Sequence, residues 1–207
     1  MKLRTCLFLA LTAALWSGCL ARPDRTRYYF LSTPAPTPSA AVESDQVFMV
    51  GLRITSADYL RARQMLVESG DNQLRPSEEN VWEETPPAGF ARILAERFAQ
   101  KLPNCQLTPL PSATTNKPEM ILEIELRSLQ GRLQDKAEAE VSAEVRILYS
   151  SGRLLERDQL RQTAPWNHTT AQDAYPALAA AESRATAALA DAMAGKVLAC
   201  HRKIAGQ

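Results

Sequence analysis

MILEIELR at 120–127 and AEAEVSAEVRI at 137–147 decide the fold. In the first stretch Met120, Leu122, Ile124 and Leu126 alternate with Glu123, Glu125 and Arg127. In the second, Ala137, Ala139, Val141, Ala143, Val145 and Ile147 alternate with Glu138, Glu140, Ser142, Glu144 and Arg146. A period of two held this long means two half-buried strands, each with one face on a core and one facing water or a partner. Gly131 to Lys136 reads as the hairpin joining them, and Ser150-Ser151-Gly152 as the next turn, leading into a strand at about 154–162.

The same periodicities extend in both directions. Upstream, Phe48, Val50, Leu52 and Ile54 alternate with Met49, Gly51 and Arg53, which predicts a strand. Ser56 to Leu60 reads as a turn or short helix, QMLVE at 64–68 as another strand, and YYFL at 28–31 as a short aromatic one. After Pro86 and Pro87 the apolar residues Phe90, Ile93, Leu94, Phe98 and Leu102 recur at three and four. This is one helical stripe, with Arg92, Glu96, Arg97 and Lys101 as solvated neighbours. Residues 170–199 are alanine-rich and helical, with Leu178, Ala181, Ala185, Ala188, Leu189, Ala192 and Val197 forming a narrow core stripe. Strands, helix, strands, helix predict an α+β fold: a small antiparallel or mixed sheet covered on one face by two helices.

The first nineteen residues address the chain to a membrane. Lys2 and Arg4 precede the ten-residue apolar run CLFLALTAAL at 6–15. Spanning a bilayer takes about 20 apolar residues, so this run reads as a leader core rather than a span. Ser17 and Gly18 then lead to Cys19, an arrangement that resembles the lipobox of bacterial lipoproteins, with Trp16 where an aliphatic residue is usual. Cys19 is the expected lipid-attachment site, because a thioether-linked diacylglycerol needs a nucleophilic sulfur. Two or three acyl chains hold a domain stably on a membrane, at about 0.8 kcal/mol per buried methylene. Leu20 in place of the aspartate that resembles an inner-membrane retention signal points to the outer membrane, periplasmic side. The expected organisation is a signal peptide over 1–18, an anchored tether with a proline-rich loop over 19–45, and a domain over 46–207.

Composition narrows the function classes. The chain has 207 residues, and 24 basic residues less Lys2 and Arg4 leave 22 against 23 acidic ones. No basic stripe interleaved with aromatics is present, which argues against nucleic acid. His168 and His201 are scattered, with no metal-ligand spacing, no glycine-rich phosphate loop and no nucleophile elbow around them. No catalytic set, metal or cofactor is expected. Glu78, Glu79, Glu83 and Glu84 cluster around Trp82 just before a helix N-terminus, where negative charge is favoured anyway. Trp82 either anchors the preceding segment onto the core or is a candidate partner contact. Cys105 and Cys200, the two cysteines left after the leader and the lipid site, are a candidate disulfide in an oxidising compartment. Such a bridge would close a loop of about 95 residues, worth about 4 kcal/mol in the chain-entropy account.

YYFLSTP at 28–34, VGLRITSADYL at 50–60 and NVWEETPPAGFARILAERFAQKLP at 80–103, with Cys19 before them and the paired strands and closing helix after, resemble a known family. It is the family of ABC-transport auxiliary lipoproteins, the PqiC-like accessory subunits of lipid-transport systems containing MCE-domain proteins. The chain departs from the pattern at Ala57, where proline is usual before Asp-Tyr-Leu, and at Thr85-Pro86, where the family has a Pro-Leu pair. The resemblance implies a non-catalytic subunit contacting a periplasmic MCE-domain partner, with homo-oligomeric rings built on the polar strand face. Two other classes stay open: a lipoprotein that itself holds lipid in a helix–sheet groove, and an outer-membrane assembly factor.

Overall fold

The computed structural model describes residues 24–33, 47–70, 72–111, 117–133 and 136–206. Cys19, the leader and the proline-rich segment lie outside the described residues. Eight strands form one mixed sheet: β1 (Arg27–Tyr29), β2 (Phe48–Ser56), β3 (Gln64–Ser69), β4 (Gln73–Trp82), β5 (Cys105–Pro109), β6 (Met120–Leu133), β7 (Ala137–Tyr149) and β8 (Leu154–Pro165). Two helices, α1 (Pro86–Lys101) and α2 (Ala174–Ala205), complete the α+β architecture.

The long antiparallel ribbon of β6 and β7 is the spine. On its far side β7 carries β8, an outer strand with no second neighbour among the described residues. On the near side β2 and β3 lie end to end along β6, both parallel to it, separated by a 3-10 turn at Asp58–Arg61. Beyond β2 comes β5, and beyond β3 come β4 and then β1. The hairpin is tighter than expected, because Gly131, Arg132 and Leu133 pair with Ala139, Glu138 and Ala137 instead of looping out. Gly152, at φ +88°, supplies the left-handed residue that the β7–β8 turn requires.

Both helices pack on one face, side by side. Phe90, Ile93, Leu94 and Phe98 of α1 are buried, as are Leu178, Ala181, Ala185, Leu189 and Val197 of α2. Small side chains let α2 lie close on the ribbon. At Gly131 the fit is tight: a Cβ there would sit 3.0 Å from Leu178 of α2 and 2.9 Å from the Trp166 ring. Ala188 belongs to the outer side of α2 and is exposed. Arg97, expected in solvent, is buried between the helices, its Nε donating to Asp191 Oδ1 at 2.7 Å.

A bulge in β6 reverses its pleat. Pairing runs Leu126 with Ala143 and then Ser128 with Ser142, so Arg127 is the extra residue. Before it, Met120, Leu122, Ile124 and Leu126 are buried in the helix-covered core; after it, Leu129 and Gly131 take over that face. Ser128, Gln130 and Arg132 thereby join Glu123 and Glu125 on the opposite face.

Candidate functional site

Among the described residues no helix covers that opposite face, and what covers it instead is charge. Three carboxylates sit close to the sheet, and each is held between two arginines from neighbouring strands. Glu123 on β6 pairs with Arg53 on β2 and with Arg146 on β7, the latter at 2.9 Å. Glu144 on β7 pairs with Arg127 on β6 and accepts from Nε of Arg157 on β8 at 2.8 Å. Glu140 on β7 pairs with Arg132 on β6 at 2.7 Å and with Arg161 on β8 at 2.5 Å. Strand register produces this pattern: Arg53 lies opposite Glu123, and Glu123 opposite Arg146, so one row crosses three strands as plus, minus, plus.

The two signs are buried to different depths. The Glu144 side chain is 8% exposed and Glu123 15%, whereas Arg157 is 61% and Arg53 55% exposed. At Glu123 and Glu144 the carboxylates form the floor and guanidinium groups the rim. Further along, Ser128 Oγ lies 2.6 Å from Ser142 Oγ and donates to Glu140 at 3.2 Å, and Gln130 Nε2 donates to Glu68 at 2.8 Å. Arg132 Nε is 3.0 Å from Glu68, an ion pair by distance without hydrogen-bond alignment. Tyr59, in the 3-10 turn, donates its phenol to the Arg127 carbonyl. Burial and the charges of Glu140 and Glu68 raise that phenol above its ordinary value. Between these strands lies a cleft of about 360 Å³, lined among others by Arg53, Arg127, Arg146, Arg157, Glu123 and Glu144.

The residues singled out from the sequence fall elsewhere. Trp82 is 2% exposed at the end of β4, beside Tyr29 of β1. Its ring belongs to the core and is closed to a partner, which corrects the contact reading and leaves the anchoring one. Cys105 and Cys200 are both buried and unbonded. Cys105 opens β5, whereas Cys200 turns to Glu156 on β8 at 3.5 Å. Burial first, with Glu119 adding to it, pushes the Cys105 thiol up to about 12; burial and the Glu156 bond push Cys200 up to about 11. His168 is exposed against Trp166, and His201 is buried, stacked on Phe48 at 3.9 Å. No cluster of three or more His, Cys, Asp or Glu fit for a metal occurs among the described residues.

The arginine face was missed in the sequence. Its arginines read there as the solvated half of each strand, and only cross-strand register shows them converging. The helix–sheet interface, by contrast, is filled by Leu178, Ala181, Ala185 and Leu189, all at most 1% exposed, where a lipid groove was an option.

Two helices on one face of a mixed sheet define a two-layer α+β domain. That class has solved representatives. Protein XCC0632 from Xanthomonas campestris superposes with a TM-score of 0.74 at 14% identity, covering 87% of this chain and 100% of that one. A second, described only as an uncharacterized protein, gives 0.60 at 15% identity over 81% and 98%. No curated protein matches the sequence. Residues 29–194 match the ABC-type transport auxiliary lipoprotein components, and the chain belongs to that family. Among the described residues no helix is long and apolar enough to cross a membrane.

Proposed function

We propose that the protein is a lipid-anchored, non-catalytic accessory subunit of an ABC transport system that moves lipid between membranes with an MCE-domain partner. Membership of the auxiliary lipoprotein family over residues 29–194 carries the reading. Cys19, the first cysteine after the leader's apolar run, supplies the anchor, and the outer membrane's periplasmic leaflet is its site. The open face of β6, β7 and β8 supports the reading from the other end. A wide, charge-patterned sheet surface selects a partner by complementarity and steers its approach.

Site-specific photocrosslinking in the native membrane tests it. A photoreactive side chain at Gln159, exposed on β8 opposite Glu144, is expected to capture an MCE-domain protein. The same probe at Ala188, on the outer side of α2, is expected to capture none. Capture from Ala188 alone, or of no transport component from either position, would overturn the proposal. Labelled palmitate should enter the wild-type chain and fail to enter Cys19→Ser.

A further inference from the structure

We infer that the arginine cleft on the open face is a binding site for a phosphate group. Arg53 from β2, Arg127 from β6, Arg146 from β7 and Arg157 from β8 bring four guanidinium groups from adjacent strands into one recess, with Thr55 beside them. Its volume of about 360 Å³ is that of roughly a dozen waters at ~30 Å³ each. That is room for a phosphate and part of what it is attached to.

The charges are arranged for an anion. Glu123 and Glu144 lie on the floor, each already shared by two arginines. Glu125 is the one carboxylate of the lining at the rim, 52% exposed and 3.8 Å from Arg127. Arg53 and Arg146 each commit a single nitrogen to Glu123. A guanidinium offers five N–H donors in a fixed fork, so both retain most of theirs for a ligand. Holding one arginine by its own carboxylate also fixes the rotamer, which lowers the ordering cost of binding.

Phosphate suits this arrangement better than a carboxylate. A planar carboxylate is satisfied by one bidentate arginine, whereas a tetrahedral phosphate accepts from several guanidiniums converging from different strands. The source is either free phosphate or a phospholipid headgroup, and the chemistry at the arginines is the same. The assignment rests on the side-chain arrangement alone and does not depend on which transport partner covers the rest of the face.

Calorimetric titration of the detergent-solubilised full chain, in phosphate-free buffer, tests it. The probes are inorganic phosphate, dihexanoyl phosphatidic acid and dihexanoyl phosphatidylglycerol. At least one is expected to bind saturably. The double variant Arg53→Gln/Arg157→Gln, in which Arg146 still pairs with Glu123 and Arg127 with Glu144, is expected to weaken that binding at least tenfold. Arg53→Lys/Arg157→Lys keeps the charge but loses the fork, and should weaken it severalfold; it also serves if the glutamine variant melts early. Arg61→Gln/Arg75→Gln, outside the cleft, should leave affinity unchanged. Binding of inorganic phosphate as tight as that of the lipids makes free phosphate sufficient, and lipid binding tighter by tenfold identifies the headgroup. Saturable binding by none of the three, or unchanged affinity in a folded double variant, overturns the assignment.

Discussion

Arg97 on α1 grips Asp191 on α2 with two nitrogens, and among the described residues this is the one charged clasp between the helices that lies out of solvent on its basic side, 6% exposed against 30% for the aspartate. The Asp191 bond holds the guanidinium above its ordinary value against the cost of burial. Lys101 joins at 3.8 Å, close enough to add charge without a hydrogen bond. Removing the acid strands a buried cation, whereas removing both partners does not. Asp191→Ala is therefore expected to lower unfolding free energy by about 1–3 kcal/mol, less than for a fully buried pair because the carboxylate is part exposed. Arg97→Met/Asp191→Leu should recover most of the loss, as urea unfolding of the three chains will show.

Glu182 sits on α2 with no exposed surface, and neither carboxylate oxygen has a partner. Burial raises its pKa well above the ordinary value. The folded state thus holds this proton more tightly than the unfolded chain does. Stability from Glu182 is greatest below the ordinary glutamate range and falls as pH rises through that range toward the raised folded value. Glu182→Met should stabilise the protein at pH 7, by about 1–3 kcal/mol, and the gain should shrink as the pH is lowered to 4. A variant whose advantage is the same at both values would contradict the neutral-carboxyl account.

Gly131 leaves too little room for a side chain without a shift of its neighbours. A methyl there would lie 2.9 Å from the Trp166 ring, closer than real Cβ atoms come, and tightly against Leu178 at 3.0 Å, and Trp166 is pinned by its Nε1 donating to the Ala174 carbonyl at 2.6 Å. Gly131→Ala is expected to cost about 1–3 kcal/mol through overpacking. In a chain of this length that corresponds to a melting temperature lower by about 3–10 °C, measurable by circular dichroism.

Cys105 and Cys200 should behave as inert thiols. With their values pushed up to about 12 and about 11, thiolate is scarce at pH 8. Alkylation by iodoacetamide, followed peptide by peptide, should be slower than in the urea-unfolded chain by on the order of 100-fold. Recovery of the two cysteines in one cross-linked peptide would instead establish a bridge.

The ribbon and both helices were legible because each buries one face along its whole length, and alternation or a three-four stripe survives in the letters. Two strands were not. β4 (QLRPSEENVW) carries Pro76 and a run of charges, and it holds its place by pairing with β3 and β1 rather than by a hydrophobic face. β5 is five residues starting directly after the α1 terminus, too short to show a period. Arg97 read as solvated because its charge sits between apolar positions, and nothing local says that Asp191 will arrive ninety-four residues later to receive it. The charged face was hidden for the same reason. Glu123, Glu140, Glu144 and the arginines are ordinary outward residues in sequence, and their two-to-one grouping exists only once four strands are in register.

As the inserted residue of β6, Arg127 sets the parity of the numbering downstream: even-numbered positions look inward up to Leu126, odd-numbered ones from Leu129 onward. A deletion of this single codon would close the bulge and leave Ser128 through Leu133 on the sides they now hold, opposite the same partners on β7, whereas loss of a paired residue such as Leu126 or Ser128 would put the two halves of the strand out of step. The extra residue therefore shifts the numbering of the alternation and not the alternation itself, and what the ribbon gains from it is the side chain it presents, the Arg127 guanidinium on Glu144.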